Sequence, residues 1–157
     1  MDVSALAQIA RRTDAAVARA RRDLVIAVRE AHAAGLTQAQ IAHEIGRSQP
    51  EVSRLLRFHG TGPRAMALRR NRAQVIQLVT QAGGSRPRVF GSVATGEDRD
   101  GSDIDLLIDL PPTVGLLRVA RLERLLSDVL GIPVDIVPKD DLRPDFEDRV
   151  LREAVPL

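Results

Sequence analysis

The spacing of apolar positions changes once along the chain. Between Thr13 and Ala34 there is no Gly or Pro, and Val17, Leu24, Ile26 and Val28 stand among Ala and Arg, which predicts one long helix. Gly35 ends it. Gln38 to Arg57 reads as two short helices. The breaker cluster Gly60-Thr61-Gly62-Pro63 follows, then an amphipathic stretch from Arg64 to Gln81 with Leu68, Val75, Ile76 and Val79 apolar, closed by Gly83-Gly84-Ser85. Beyond it the runs shorten. Arg88 to Phe90, Ile104 to Leu110 and Pro133 to Val137 are aliphatic or β-branched and bounded by turn residues, which predicts strands. A helix is expected from Val114 to Leu130, and a last one from Pro144 to Ala154 that starts on its proline. The expected fold class is α+β: an all-α domain over residues 1–62, then a small α/β domain with a short mixed sheet over residues 63–157.

Composition narrows the chemistry. With no Trp or Tyr and three Phe, the cores must be built of Leu, Val, Ile and Ala. No apolar run approaches the roughly 20 residues of a membrane span, and Met1 to Arg12 lacks the order of a secretory signal, so no membrane partner is expected. The absence of cysteine excludes a disulfide framework and a thiolate zinc site and suits a cytoplasmic location. The net charge of +2 conceals an asymmetry: residues 1–72 hold 13 Arg against 6 Asp/Glu, and residues 73–157 hold 10 Lys/Arg against 15 Asp/Glu. A basic half suits a phosphate backbone and an acidic half suits metal ions. Charge alone fits two solvated surfaces equally well.

The basic half has a pattern that sharpens this. QAQIAHEIGRSQPEVSRLLR, Gln38 to Arg57, places Ala42 where two helices approach, Gly46 at the turn, and Ile41, Ile45, Val52 and Leu55 where the second helix buries on the first. Thr37 and Ser48 are the expected N-caps. The segment resembles the helix-turn-helix of bacterial repressors. In that arrangement Arg47, Ser48, Gln49, Pro50, Ser53, Arg54 and Arg57 face DNA, Gln being able to pair with adenine and Arg with guanine or phosphate. The alternative is a helical hairpin that binds protein. Such modules read two half-sites as dimers, and the long first helix is a candidate homodimer interface.

The acidic half carries the other motif. After Arg88-Val-Phe90 comes GSVATGEDRDGSDIDLLIDL, a Gly91-Ser92 turn followed after ten residues by Asp103-x-Asp105. Residues two apart on a strand share a face, so Asp103 and Asp105 present two hard oxygen ligands side by side. Gly91 lets backbone approach phosphate, and Ser92 at a helix start offers a hydroxyl and N–H groups. That combination suits a nucleoside triphosphate neutralised by two magnesium ions. Asp135, flanked by apolar residues in Pro133 to Val137, reads as a buried carboxylate that is costly unless it binds metal. Asp109 continues the alternation, near the exit at Pro111-Pro112, and reads as structural or solvent-facing.

From about Asn71 to Leu157 the chain resembles the minimal nucleotidyltransferases of the polymerase-β superfamily, specifically the MNT antitoxins of prokaryotic toxin–antitoxin pairs. The resemblance implies ATP as substrate, two Mg2+ ions on Asp103, Asp105 and Asp135 as metal-binding and catalytic residues, and Gly91, Ser92 and Ser102 as nucleotide-binding residues. It also implies transfer of AMP to a partner, a HEPN ribonuclease or other toxin, often on a tyrosine hydroxyl. Many relatives have Arg before the second glycine of the motif, where this chain has Thr95; Arg88 or Arg99 are candidate substitutes. The leading reading is an antitoxin that modifies its toxin and represses its own operon by binding operator DNA. Two others compete: a transcriptional regulator with a silent nucleotide-binding domain, and a small-molecule transferase of the aminoglycoside type.

Overall fold

The computed structural model describes residues 3–58 and 60–157. Helix α1, Val3–Ala33, starts ten residues before the expected Thr13; its Ala-rich first turns favour helix and carry Val3, Leu6 and Ile9 at three-residue spacing, all of them exposed. Gly35, at φ 101°, turns the chain into α2, Gln38–Ile45. Thr37 caps α2 and Ser48 caps α3, Gln49–Leu56, each through a complete capping box with Gln40 and Glu51 respectively. Gly46, at φ 63°, closes α2 in the left-handed region. Val28, Ile41, Ala42 and Val52 form the small core of this helical region, with Leu24, Ile45 and Leu55 packed around it.

The expected helix Arg64 to Gln81 is two helices, α4, Pro63–Arg70, and α5, Arg72–Gln81. Asn71 separates them: its side-chain amide donates to the Ala67 carbonyl at 2.9 Å, a local bond that competes with a continuous helix. The chain then enters β1, Ser85–Phe90; a short helix α6, Gly91–Thr95; β2, Ile104–Asp109; α7, Leu116–Leu130; β3, Val134–Pro138; α8, Pro144–Glu153; and a two-residue strand β4, Val155–Pro156. The sheet order is β3-β2-β1-β4, with β1 antiparallel to both β2 and β4 and β2 parallel to β3. A parallel pair needs a crossover, and α7 supplies it.

One face of the sheet is covered by the main core. Val89, Ile104, Leu106, Ile108, Val134 and Ile136 pack there with Val75 and Val79 of α5 and Leu122 and Leu126 of α7. The open edge of β3 is protected by α7: the Val134 N–H donates to the Ser127 hydroxyl at 3.0 Å and the Ile136 N–H to the Glu123 carboxylate at 2.9 Å. Among the described residues no helix is long and apolar enough to cross a membrane.

Candidate active site

Because Ile104, Leu106 and Ile108 face the core, Asp105, Leu107 and Asp109 project from the other side of β2. β1 ends at Phe90, the register partner of Asp105. Gly91 follows at φ 71°, and a Cβ there would collide with the Asp105 carboxylate. Glycine therefore meets two needs at once, a left-handed turn and close approach of backbone to a carboxylate. On the far side, β3 brings Asp135 into register with Asp105, and Asp103 lies one residue before β2 begins.

The three carboxylates differ in surroundings. Asp103 and Asp135 are exposed and Asp105 is half-buried. Burial raises the Asp105 carboxyl from 3.8 to about 6, and the negative charges of Asp135 and then Asp103 add to the rise. The expectation that Asp135 is the buried member is thereby corrected. Val134 and Ile136 face the core, so the alternation turns Asp135 to solvent, and the desolvation falls on Asp105 instead.

Gly91 and Ser92 open α6 beside Asp105, as the motif requires. Ser102 lies in the turn before Asp103, where its hydroxyl accepts the Arg99 N–H at 2.9 Å and its carbonyl accepts Arg64 Nε at 2.5 Å. The Thr95 hydroxyl donates within α6, 3.2 Å from the Gly91 carbonyl and 3.3 Å from that of Ser92. Arg88 is held by Asp109 at 2.5 Å, and Arg86 pairs with the same carboxylate, so Asp109 is structural. That leaves Arg99, which is exposed, as the unengaged arginine of the two considered as substitutes at the phosphates.

The structure places the other set of sequence candidates on a separate, open surface. Gln49, Pro50, Arg54 and Arg57 are exposed and Ser53 is half-exposed. Ser48 is engaged as the cap of α3, its N–H donating to Glu51 at 2.9 Å, and Arg47 lies 3.6 Å from the Glu51 carboxylate. Two cavities, of about 460 and 500 Å³, lie on the seam between the N-terminal helices and the C-terminal residues; Arg57, Arg69, Arg72 and Leu157 line the first, and Arg29, His32 and Leu151 are among those lining the second. Neither contains an Asp of the β2 site. A shallow site that binds its ligand through charge need not form a deep cavity.

A divalent cation suits this donor set. Asp103, Asp105 and Asp135 supply hard oxygens, and no Lys or Arg pairs with any of them among the described residues. No three His, Cys, Asp or Glu among the described residues close on a point as a protein cage would. Magnesium does not require such a cage, since it is held by one or two carboxylates together with water and substrate phosphates.

A model of the nucleotidyltransferase domain matches residues 73–157, more than half of the chain. The chain belongs to this family. It is a nucleotidyl-transferring enzyme by that membership. The nucleotidyltransferase is 37% identical over 82 residues to a Methanocaldococcus jannaschii protein provisionally named a protein adenylyltransferase, covering 52% of this chain and 88% of the relative. It is 42% identical over 67 residues to the protein adenylyltransferase MntA of Thermococcus cleftensis, covering 43% of this chain and 68% of that one. Among solved structures, one provisionally described as a minimal nucleotidyltransferase matches with a TM-score of 0.54 and 47% identity, over 59% of this chain and 94% of the other. A crystal structure of a toxin–antitoxin with AMP-PNP shares the fold, with a TM-score of 0.50 and 22% identity over 55% of this chain and 71% of that one. The helices before residue 73 lie outside the family model.

Proposed function

We propose that this nucleotidyltransferase is the antitoxin of a toxin–antitoxin pair, transferring AMP from ATP to a cognate toxin and binding its own operator through α2 and α3. The observation that carries the enzymatic part is the register of Asp105 with Asp135, with Asp103 one residue before the strand, an acidic triad to which no cation among the described residues is paired. Magnesium, when bound with ATP, would neutralise the triphosphate and polarise the phosphoryl group. Asp103, Asp105 and Asp135 would hold the ions. Gly91, lacking a side chain, leaves its backbone open to phosphate oxygens, with the Ser92 hydroxyl beside it. Asp135 is exposed and so can be reached by an acceptor hydroxyl, whose proton it would take as that oxygen attacks the α-phosphate and pyrophosphate departs. The names of the adenylyltransferase relatives support AMP as the group transferred and a protein as acceptor.

For the N-terminal region, divided from the transferase domain at residues 62/63, the proposed partner is duplex DNA. Its support is the open face of α3 with Gln49, Arg54 and Arg57 in a basic half. A second reading, a regulator whose transferase domain binds nucleotide without turnover, is favoured by Thr95, whose hydroxyl is bonded inside α6 where many relatives have an arginine. Incubation with α-labelled ATP, magnesium and the product of the neighbouring gene separates them. Label on that protein, lost with Asp103→Ala/Asp105→Ala, supports transfer. Nucleotide binding without label supports the regulator.

A further inference from the structure

Asp103 lies outside β2, is exposed, and is reached through a turn from Gly96 to Ser102 that contains Glu97, Asp98 and Asp100. This acidic turn separates the two halves of the motif, and the ladder of the sheet does not fix it, since β2 pairs with β3 only from Ile104 onward. Its side chains are met instead by α1 and by the start of α4. Arg22 of α1 pairs with Glu97 at 2.6 Å. The Asp98 carboxylate lies against Gly62, the residue that opens α4, closely enough that a Cβ there would be 2.6 Å from Oδ2. Arg64 of α4, its side chain only 13% exposed, donates from Nε to the Ser102 carbonyl at 2.5 Å and places Nη1 3.9 Å from Asp100.

These contacts perform two tasks. They fix the backbone immediately before Asp103, and they pair Glu97 with an arginine, so that one of the five acids within a few residues is already neutralised. Arg22 also has a firm base. Arg29, two turns further along the same face of α1, donates to the Leu55 carbonyl at 3.1 Å and to the Glu153 carbonyl at 3.2 Å, tying α1 to the ends of α3 and α8. Arg22, Gly62, Arg64 and Arg29 all precede the residues matched by the family model.

We infer that Arg22 and Arg64 are positioning residues of the nucleotidyl-transfer site, holding the acidic turn so that the Asp103 carboxylate stands beside Asp105. The inference rests on Asp103 being a metal ligand, and its test reads the turn separately from the reaction. In the full chain, amide exchange of residues 97–103 and the magnesium dependence of binding to a fluorescent ATP analogue are measured for wild type, Arg22→Ala, Arg64→Ala, Arg64→Lys and the charge-exchanged pair Arg22→Glu/Glu97→Arg. Arg64→Ala is expected to accelerate exchange in the turn and to raise the magnesium concentration for half-maximal binding by about 10-fold, the order of a lost charged hydrogen bond. Arg22→Ala is expected to raise it by about 3-fold, as for a partly exposed ion pair. Arg64→Lys falls between, since it keeps the charge without the fork, and the exchanged pair returns both readouts to near wild type. Unchanged exchange in the turn for both alanine variants overturns the inference, whether or not nucleotide binds. So does acceleration spread evenly over the chain, which marks a general loss of stability. Absence of nucleotide binding by wild type would instead overturn the enzymatic reading, leaving the exchange result to decide the fate of the turn.

Discussion

The two ends of β2 hold the same residue in opposite company. Asp105 and Asp109 lie on one face of the strand, four residues apart. Asp109 receives Arg86 and Arg88 from β1, while Asp105 receives Asp135 from β3 and Asp103 from the preceding turn, with only the hydrogen of Gly91 on its other side. A strand that needed only stability would have arginines at both ends. The difference teaches that the carboxylate left without a cation is the one kept for a ligand, since burying like charges together costs free energy that only an external cation returns.

The sharpest way to break the comparison is to neutralise each end in turn. Asp105→Asn should reduce AMP transfer by at least about 10³-fold, because it removes a ligand used in the transition state. It should also stabilise the apo protein at pH 7 by about 1 kcal/mol, a value discounted for solvent screening, visible as a melting temperature higher by roughly 2–4 °C. Asp109→Asn should do the reverse, leaving transfer within about 3-fold while costing about 1–3 kcal/mol of stability, because Arg88 would lose its partner in a half-buried site. Gly91→Ala comes next. Its methyl would meet the Asp105 carboxylate at a positive φ, and transfer should fall about 10²-fold with a stability loss of about 1–2 kcal/mol, measured by turnover and thermal melting.

The elevated carboxyl gives a pH signature with a definite sign. Asp105 titrates at about 6 in the folded chain against 3.8 for an unperturbed carboxyl. The native state therefore holds its proton where the unfolded state has lost it, and stability from this group falls as pH rises from about 4 to about 6. Urea melts across that range should show the fall in wild type and its absence in Asp105→Asn. Magnesium must displace the same proton, so its affinity should rise with pH up to about 6 and level off above, with proton release seen by calorimetry in buffers of different ionisation enthalpy. The smallest effect is expected far from this strand. Arg54→Ala should weaken operator binding and lower the salt slope by about 1, with AMP transfer unchanged.

Much of the site was legible because it is local. Gly91-Ser92, ten residues, then Asp103-x-Asp105 needs only the strand period to be understood, and the capping residues Thr37 and Ser48 announce their helices within three residues. What was hidden depends on register and tertiary contact. Asp109 could not be told from Asp105 without knowing which residues of β1 stand opposite. Asp135 reads as buried in an apolar run, yet it stands between Val134 and Ile136, which face the core, and the strand alternation turns it outward. β4 is two residues ending in proline and has no pattern to detect; it exists because β1 offers it an edge. Arg22 and Arg64 are separated by 75 and 38 residues from Glu97 and Ser102, and nothing in the local sequence pairs them.

The most direct measurement is magnesium-dependent ATP binding by Asp105→Asn and Asp109→Asn side by side, with melting temperatures taken on the same samples. The expected result is a protein that melts higher and no longer binds magnesium–ATP for the first, and one that melts lower and still binds it for the second. Retained magnesium-dependent binding in Asp105→Asn, or its loss in a folded Asp109→Asn, would contradict the assignment of the two ends of β2.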